Sequence, residues 1–343
     1  MKKVFLIGFL CTVLLSCAGK KQKKEFFEYH GFGGGTTFII EYDKTSGNLD
    51  AEFNKIFKEI ENSVDISNST SLINRINTND SIGSIDVHFK KLLELSAGYY
   101  KEMDKAFEPT SLPLETFWGE DLPKFLNQSL IDSSIIDSVK LGVNIENIYL
   151  DANGSLVKKY PSTVIDFENI YRGYMVDLIT ELLESYHVYN YKVEIGGRIK
   201  AKGSNKFNKP WSVGIDEPST DVKKRKVIAI AKLDGEAIVT SGNWRKYFPQ
   251  GEKKLPFTID HQTGYPVKHT LISATVISTS CTQADAYAAS FMVMGTEKAK
   301  VFIAAHPQIK VFLVSTNYKG EWVTFMSNAL TENVEMVIEE NPI

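Results

Sequence analysis

The chain has 343 residues, a formal net charge of −3 and 43% hydrophobic residues. A charge this close to zero argues against nucleic acid as the main partner, because phosphate backbones are bound by clusters of basic residues. The length is sufficient for one large domain or for two.

The N-terminus has the features of a bacterial lipoprotein signal. Two lysines precede the apolar run 4–15, which is too short to span a bilayer. The small residue Ser16 then stands directly before Cys17, as in a lipobox. We therefore expect cleavage before Cys17 and attachment of a lipid to its thiol. This would anchor the protein in the bacterial cell envelope, facing the periplasm or another extracytoplasmic space. The alternative is an ordinary signal peptide that ends near an unrelated cysteine.

This interpretation divides the chain into three parts. Residues 1–16 form the signal peptide, residues 17–30 form a lipidated tether, and residues 31–343 form the folded domain. Of the three cysteines, one would leave with the signal peptide and one would be acylated, so Cys281 has no disulfide partner. The domain must therefore be stabilised by its hydrophobic core rather than by disulfides.

The first half of the predicted domain contains a strand and two amphipathic helices. Three glycines lead into the β-rich run 36–40, which predicts a loop entering a strand. Apolar residues recur at helical spacing over 49–64, and a second helix is predicted over 87–100. Between 109 and about 143 the pattern is polar and irregular and prolines interrupt it, so loops with short helices are expected.

The second half alternates between strand and helix patterns. The predicted strands are residues 163–165, 191–195, 211–215, 227–231, 237–240, 273–277, 311–315 and 322–325. Helices are predicted over 172–186 and 282–294. The sequence shows no internal repeat, no low-complexity tract and no linker that divides the chain. It therefore predicts a mixed α+β protein with one catalytic unit, which could be bilobed.

An anion site is suggested near the middle of the chain. Asp166 ends a predicted strand, and Arg172 opens the following helix, where free backbone N–H groups favour negative charge. Arg172 could pair with a phosphate in bidentate fashion. The alternative is that Asp166 caps the helix and Arg172 is a surface charge. The double glycine Gly196-Gly197 is a weaker signal, since a tight turn explains it equally well.

Asp285 is the carboxylate for which the sequence most clearly predicts a charged partner. It stands in an otherwise apolar, alanine-rich helix, where a carboxylate is costly unless it is paired or bound to a cation. No Lys or Arg lies one helical turn away on either side, so the sequence predicts a divalent metal ion such as Mg²⁺. Position 289, one turn on, is Ala. On the helix, Thr282 lies closer to the face of Asp285 than Ser290 does, so Thr282 is the better candidate for a hydroxyl ligand.

Taken in order along the chain, these segments resemble the FAD:protein FMN transferase family, the ApbE-type flavin transferases. The similarity covers about residues 35–295. The matching segments are Gly35-Thr36, residues 71–77, 106–110 and 166–177, Ile195-Gly196-Gly197, residues 211–215, Thr240-Ser241-Gly242, Ile259-Asp260, and residues 263–266, 284–286 and 293–295. The resemblance implies the α+β fold of that family, which is related to the T-fold.

The resemblance also implies a specific reaction. Family members are extracytoplasmic, are often lipoproteins, and use Mg²⁺ to move the FMN half of FAD onto a Thr or Ser of a target protein, releasing AMP. The expected partners are therefore FAD, a flavin-acceptor protein and, through the lipid, the membrane. Catalytic roles are implied for Asp285 and Asp260. Metal binding is implied for Asp285 and the Asn169 carbonyl, to which the helical spacing adds the Thr282 hydroxyl. The residues expected to contact FAD are Gly35, Thr36, Ala106, Phe107, Glu108, Asp166, Arg172, Gly196, Gly197, Ser241 and Ile259.

Several positions of the family pattern carry other residues in this chain. The His before the Ile-Asp-Pro motif is Phe257, the Pro of that motif is His261, and the metal-ligand Thr is Ala289. The acid after the double glycine is Arg198, and the Asp of the Phe-Asp-Pro-Thr segment is Glu108. These departures leave a second hypothesis open, a relative that binds FAD or a partner protein without transferring FMN. Hydrolysis of FAD to FMN and AMP is a third.

Overall fold

The computed structural model describes residues 23–79, 84–121, 133–152, 154–219, 225–244, 247–250 and 253–337. The signal peptide predicted for residues 1–16 and the lipidation site Cys17 lie outside these ranges, so both stay predictions. Within the described residues, no helix combines the length and the apolar character that are needed to cross a membrane.

The strands of the described residues form antiparallel sheets. In chain order they are β1 (Phe26–Gly33), β2 (Thr36–Asp43), β3 (Ile148–Leu150), β4 (Leu156–Lys158), β5 (Tyr191–Ile195), β6 (Arg198–Lys202), β7 (Trp211–Asp216), β8 (Val227–Leu233), β9 (Glu236–Gly242), β10 (Tyr247–Gln250), β11 (Lys253–Pro256), β12 (Ile259–Asp260), β13 (Tyr265–Pro266), β14 (Leu271–Ser278), β15 (Lys310–Thr316), β16 (Trp322–Met326) and β17 (Val334–Met336). The large sheet has the order β1-β2-β5-β6-β9-β14-β15-β16, and each neighbouring pair is antiparallel. A second sheet has the order β17-β8-β7, and two-stranded ribbons pair β3 with β4, β10 with β11 and β12 with β13.

The described residues also form helices, and the four longest of them pack against one face of the large sheet. In chain order they are α1 (Asp50–Val64), α2 (Leu72–Asn77), α3 (Val87–Glu102), α4 (Leu112–Thr116), α5 (Ser133–Lys140), α6 (Tyr171–Ser185) and α7 (Cys281–Ala305), with a π-helical turn at Phe117–Asp121 and 3-10 turns at Ile145–Asn147 and Asn328–Leu330. Buried side chains of α1, α3, α6 and α7 join those of the sheet in the main hydrophobic core. The helices predicted over 49–64, 87–100 and 172–186 correspond to α1, α3 and α6. The helix predicted over 282–294 is the part of α7 before Gly295, where a φ of 74° interrupts the helix.

The second sheet covers the opposite face of the large sheet. β15 shows this directly, because its side chains alternate between two cores. Val311 and Leu313 enter the helical core, whereas Phe312 and Val314 enter the core between the two sheets. The second sheet contributes to the latter core Trp211, Ile215, Ala229, Ala231, Leu233 and Val334. A strand that is buried on both faces requires a continuous apolar run, which is what β15 has.

A smaller hydrophobic cluster surrounds the β12–β13 ribbon. Its buried members are Leu114, Phe117, Trp118, Ile136, Phe248 and Ile259. The Trp118 indole N–H donates to the Gly264 carbonyl at 2.8 Å, which ties the π-helical turn to the ribbon. The short helices α4 and α5 lie in the stretch 109–143, where the sequence predicts loops with short helices.

The structure differs from the sequence-based expectation in two places. Residues 163–165 form no strand, although Ile165 is buried. Its backbone is paired with a side chain instead of a strand, because the Asn77 amide donates to the Ile165 carbonyl and accepts from its N–H, both at 2.8 Å. The folded part also begins before residue 31, within the predicted tether 17–30, because β1 starts at Phe26 and pairs with β2.

Candidate functional site

Most of the predicted site residues line one cavity of about 490 Å³. This volume is within the range of small-molecule sites, about 300–1,000 Å³. The cavity lies where the β1–β2 turn, the β5–β6 turn, the start of α6 and the ends of β9 and β12 come together. Its lining residues are Gly35, Thr36, Ala106, Phe107, Glu108, Ser111, Glu115, Asp166, Glu168, Asn169, Arg172, Gly196, Arg198, Thr240, Ser241, Gly242, Phe257, Thr258, Ile259, His261, Ala289, Met292 and Val293.

The predicted site residues fall into two groups. Those expected to contact FAD all line the cavity except Gly197, and Asn169 lines it as well. Asp260, Thr282 and Asp285 do not belong to its lining. The cavity therefore brings together the expected FAD contacts, whereas the two predicted catalytic acids and the predicted hydroxyl ligand have other surroundings.

Two glycine turns bring backbone to the edge of the cavity. Gly34 and Gly35, between β1 and β2, have φ angles of 60° and 71°, and Gly196 and Gly197, between β5 and β6, have 54° and 81°. Residues with a Cβ rarely adopt such angles. A Cβ on Gly196 would also lie 2.9 Å from Cγ2 of Thr36, so the two turns are in contact.

Arg172, the predicted phosphate ligand, is oriented by the β1–β2 turn. Its Nε donates to the Gly34 carbonyl at 3.0 Å, and its guanidinium carbon lies 4.8 Å from the centroid of the Tyr171 ring. Nη1 forms a close ion pair with Glu168. The side chain is 13% exposed, so Arg172 is a fixed part of the cavity wall rather than a mobile surface charge.

Asp166 is the cavity acid whose charge changes near neutral pH. Burial raises the pKa of its carboxyl to about 7, and nearby Glu168 and Glu115 add to this effect while Arg172 opposes it. Oδ1 accepts the Glu168 N–H at 2.8 Å, which also favours the ionised form. The Asp166 N–H donates to the Pro109 carbonyl at 2.7 Å. A carboxyl with this pKa can take up or release a proton under physiological conditions.

Glu108 orders the segment that precedes α4. Its Oε1 accepts the N–H and the hydroxyl of Thr110 at 3.1 and 2.7 Å, and its Oε2 accepts the Ile145 N–H at 3.2 Å. Burial raises the pKa of the Glu108 carboxyl, and these hydrogen bonds oppose the rise. Glu108, which stands where the family pattern has Asp, thus stabilises the local backbone through its hydrogen bonds to Thr110 and Ile145.

Asp285 is paired with Arg198, which comes from the start of β6. Asp285 is 0% exposed. The Arg198 Nε donates to Oδ2 at 3.0 Å, and Nη2 lies 3.0 Å from Oδ1. Nη1 of the same side chain donates to the Gly196 carbonyl at 3.0 Å. Burial raises the pKa of the Asp285 carboxyl, and the adjacent guanidinium opposes that rise. The buried acid therefore has a protein cation as its partner.

Thr282 faces a different acid. Its hydroxyl and its N–H donate to Asp177 Oδ2 at 2.8 and 2.9 Å. Asp177 also accepts the Cys281 N–H at 2.9 Å and pairs with Lys200 at 2.9 Å. Because Asp177 lies on α6 and Thr282 on α7, this cluster joins the two helices at the N-terminus of α7, where negative charge is favoured. The Thr282 hydroxyl thus binds Asp177 at the N-terminus of α7 and is not placed as a metal ligand beside Asp285.

These surroundings do not fit the Mg²⁺ ion that the resemblance implies. Both oxygens of Asp285 lie beside Arg198, Ala289 offers no oxygen, and the Ser290 hydroxyl donates to the Ala286 carbonyl at 2.8 Å. Across the part of the chain that the structure describes, no group of three or more His, Cys, Asp or Glu side chains is arranged to hold a metal ion. We therefore assign no metal ion to this set of side chains.

Asp260 belongs to the turn between β12 and β13. Its Oδ1 accepts the N–H groups of Gln262 and Thr263 at 2.9 and 3.3 Å. The adjacent His261 lines the cavity, and its Nε2 lies 3.1 Å from the Lys105 carbonyl. Burial lowers the pKa of the His261 imidazole, so the ring is neutral at pH 7 and Nε2 carries the proton that this carbonyl accepts.

Arg198 is the cavity residue that the sequence reasoning missed as a functional side chain. The sequence contains a signal for it, because Arg198 reverses the charge that the family has directly after the double glycine. A lone buried acid such as Asp285 also requires a cation from elsewhere in the chain. The two residues are separated by 87 positions, so helical spacing could not connect them.

The fold is that of the flavin-transferase class, as comparison with known proteins shows. A family model described as the ApbE family matches residues 34–313. The chain therefore belongs to the ApbE family. Its relatives include the FAD:protein FMN transferases of Haemophilus influenzae, 30% identical over 98% of this chain and 100% of that protein, and of Vibrio cholerae, 30% identical over 88% and 91%. Membership of this family places the chain among the transferase enzymes.

Solved structures confirm the predicted α+β, ApbE-like fold. The apo form of the Pseudomonas stutzeri flavinyl transferase ApbE has a TM-score of 0.77 and 27% identity, covering 90% of this chain and 97% of that one. The flavin transferase ApbE from Vibrio cholerae has a TM-score of 0.77 and 25% identity, covering 90% and 99%.

Proposed function

We propose that this chain is an FAD:protein FMN transferase that binds FAD in the cavity, moves its FMN half onto a Thr or Ser of an extracytoplasmic target protein and releases AMP. The observation that carries the proposal is the convergence of nearly all the expected FAD contacts on one cavity. The name shared by the relatives supports the same reaction.

The reaction requires one bond to form and one to break. The acceptor hydroxyl oxygen attacks the phosphorus of the FMN half, and the bond from that phosphorus to the bridging oxygen of the diphosphate breaks, so that AMP leaves with this oxygen. Arg172 is positioned to bind the phosphate oxygens in bidentate fashion and to stabilise their charge. Asp166, with a pKa of about 7, is suited to take the proton of the attacking hydroxyl in those complexes in which its carboxyl is ionised.

The sequence also predicts dependence on Mg²⁺. The proposal assigns no step to this ion, because the side chains around Asp285 are engaged with Arg198, Asp177 and the helix backbone. Performing the transfer assay in MgCl2 and in EDTA tests the dependence directly.

A relative that binds FAD without transferring FMN is the second candidate. Two residues favour it. Phe257 stands where the family has His, and its ring stacks on Phe248 with 4.7 Å between centroids. Ala289 stands where the family has a metal-ligand Thr. Neither side chain can replace the chemical group of the residue that the family has at its position.

The deciding experiment incubates the protein with FAD and a Thr-containing acceptor domain, and analyses the acceptor by mass spectrometry. The proposal predicts an acceptor mass increased by one FMN less water, and AMP in equal amount. An acceptor with that Thr replaced by Val is the control and should stay unmodified. Binding of FAD with no adduct in either MgCl2 or EDTA would favour the second candidate.

We also propose that the protein is anchored in the cell envelope by a lipid on Cys17. Support comes from the apolar run and the small residue that precede Cys17 in the sequence. Cys17→Ser should abolish incorporation of labelled palmitate and move the protein from the membrane fraction to the soluble fraction. Unchanged membrane association of this variant would contradict the anchor.

A further inference from the structure

We infer that the Arg198 guanidinium, fixed by Asp285, takes over the diphosphate-binding role that the family resemblance gives to Mg²⁺, so that FAD binds in this cavity without a divalent cation. The inference rests on the proposed function, because that function names FAD as the ligand. It is carried by the ion pair between Arg198 and Asp285.

Both carboxylate oxygens of Asp285 face Arg198, and Oδ2 accepts a hydrogen bond from it, whereas Oδ1 is a buried atom within ion-pair distance of Nη2. Each lies 3.0 Å from a nitrogen of Arg198, and the acid is fully buried. Mg²⁺ requires oxygen ligands at about 2.0–2.1 Å in near-octahedral geometry. An ion bound to Asp285 Oδ1 would have to lie against the guanidinium or displace it, and displacement would leave the guanidinium without its buried counter-charge.

The remainder of α7 near Asp285 does not supply the missing ligands. Ala289 lies one turn on and has no oxygen in its side chain. The hydroxyls of Thr282 and Ser290 donate to Asp177 and to the Ala286 carbonyl. The protein ligands of a metal ion would therefore be limited to Asp285, whose carboxylate faces Arg198, and the Asn169 carbonyl.

Arg198 keeps donors that an anion can use. A guanidinium has five N–H groups. The hydrogen bonds to Asp285 Oδ2 and to the Gly196 carbonyl, with the contact to Asp285 Oδ1, use three of them and leave two. Arg198 lines the cavity, and its side chain is 19% exposed. Because Asp285 offsets the charge, what Arg198 offers is mainly oriented donors, which suit phosphate oxygens.

A second guanidinium lies at the same turn. Gly196 accepts the hydrogen bond from Arg198, and a Cβ on Gly196 would lie 3.3 Å from Cδ of Arg172. The two arginines therefore flank one backbone turn of the cavity. A diphosphate has two phosphate groups, and each arginine could bind one of them.

The test measures binding to the full chain by isothermal titration calorimetry. FAD, ADP and riboflavin are titrated in EDTA and in MgCl2. FAD should bind with the same Kd in both buffers. Arg198→Gln should weaken the binding of FAD and of ADP in EDTA by roughly 10- to 100-fold, the range for lost hydrogen bonds to a charged group. Riboflavin, which has no diphosphate, should bind equally well to both proteins.

Two variants control for effects on folding. Arg225→Gln makes the same chemical change at an exposed ion pair with Asp216, outside the cavity lining, and should bind FAD as the wild type does. The double variant Arg198→Gln, Asp285→Asn removes both charges together, so no buried charge is left unpaired. It should show the same loss of FAD and ADP binding in EDTA as the single variant.

Three results would overturn the inference. The first is FAD binding that disappears in EDTA. The second is FAD and ADP binding in EDTA that is unchanged by Arg198→Gln. The third is binding of Mn²⁺, measured by its paramagnetic resonance signal, that Asp285→Asn abolishes. The transfer assay separates these outcomes from failure of the proposed function. FAD that binds in EDTA, with no adduct in either EDTA or MgCl2, would leave the inference standing and reject the transferase proposal. FAD binding and adduct formation that both occur only with Mg²⁺ would overturn the inference and support the transferase proposal.

Discussion

Asp166 lies in the cavity with Glu168, Glu115 and Arg172, and burial raises the pKa of its carboxyl to about 7. A bound diphosphate brings negative charge close to this carboxyl. The anion should raise the pKa of Asp166 further, because it disfavours the ionised form. Ligand binding and proton uptake are therefore coupled at this residue.

We predict that FAD affinity falls as the pH rises through 7. Below pH 7 the Asp166 carboxyl is already neutral, whereas above it each binding event must take up a proton, so affinity should fall by up to about tenfold per pH unit. Fluorescence titrations on both sides of pH 7 would measure this. In Asp166→Asn the slope should be absent. An equal slope in this variant would show that another group titrates.

The two buried acids of the site show what local sequence can reveal about a residue. The alanine-rich surroundings of Asp285 correctly indicate a buried carboxylate that requires a partner. They do not identify the partner, because Arg198 reaches it from another element through the tertiary fold. By contrast, the predicted FAD contacts other than Gly197 line one cavity, and they were identified from short motifs at strand ends and helix starts.

At the scale of elements, the junction of α6 and α7 determines the position of the site. A Cβ on Gly173 of α6 would lie 2.7 Å from the Cys281 carbonyl oxygen of α7, so the helices approach as closely as their backbones allow. Asp177, one turn further along α6, accepts hydrogen bonds from the first residues of α7. This junction holds Arg172 and Asp285 on one rigid unit.

We predict that Asp177→Asn destabilises the protein by about 2–4 kcal/mol at pH 7, because it breaks a buried ion pair and weakens the capping of α7. Burial alone would raise the pKa of Asp177, but Lys200 and the N–H groups of α7 outweigh it and hold the pKa below its usual value. The ionised acid therefore stabilises the fold above its unfolded-state pKa. This stabilisation is lost as the pH falls through the lower, folded-state pKa.

Urea unfolding of the wild type and the variant measures this difference. The gap in unfolding free energy should shrink as the pH falls through the folded-state pKa of Asp177. Asp137→Asn, on the exposed face of α5, is the matched control and should change stability little. A gap that stays constant into acid would show that the charge of Asp177 is not the cause.

Sequence patterns predicted most elements because period and composition are local properties. They failed at residues 163–165, where a short apolar run is buried yet lacks a strand neighbour. The backbone there is satisfied by the Asn77 side chain, which comes from a distant part of the chain. The hydrophobic pattern of a segment predicts that it is buried. The pattern does not predict which groups form hydrogen bonds with the backbone of that segment.

At the scale of the whole molecule, Cys281 reports on global unfolding. Its side chain is fully buried at the start of α7, and burial raises the pKa of the thiol well above its usual value. The reactive species is the thiolate. In the full chain with Cys11→Ser and Cys17→Ser, we predict no maleimide labelling of the folded protein and complete labelling in urea. FAD should slow the labelling in urea, because it stabilises the folded state. Rapid labelling under native conditions would show local opening at the α6–α7 junction.

The alternation of β15 has a consequence for how this protein can be divided. Val311 and Phe312 are neighbours in the chain, yet they support different cores on opposite faces of one sheet. Removing this strand would open both cores at once. A truncated form that keeps flavin binding but loses the C-terminal strands is therefore not to be expected, and the two cores should unfold together.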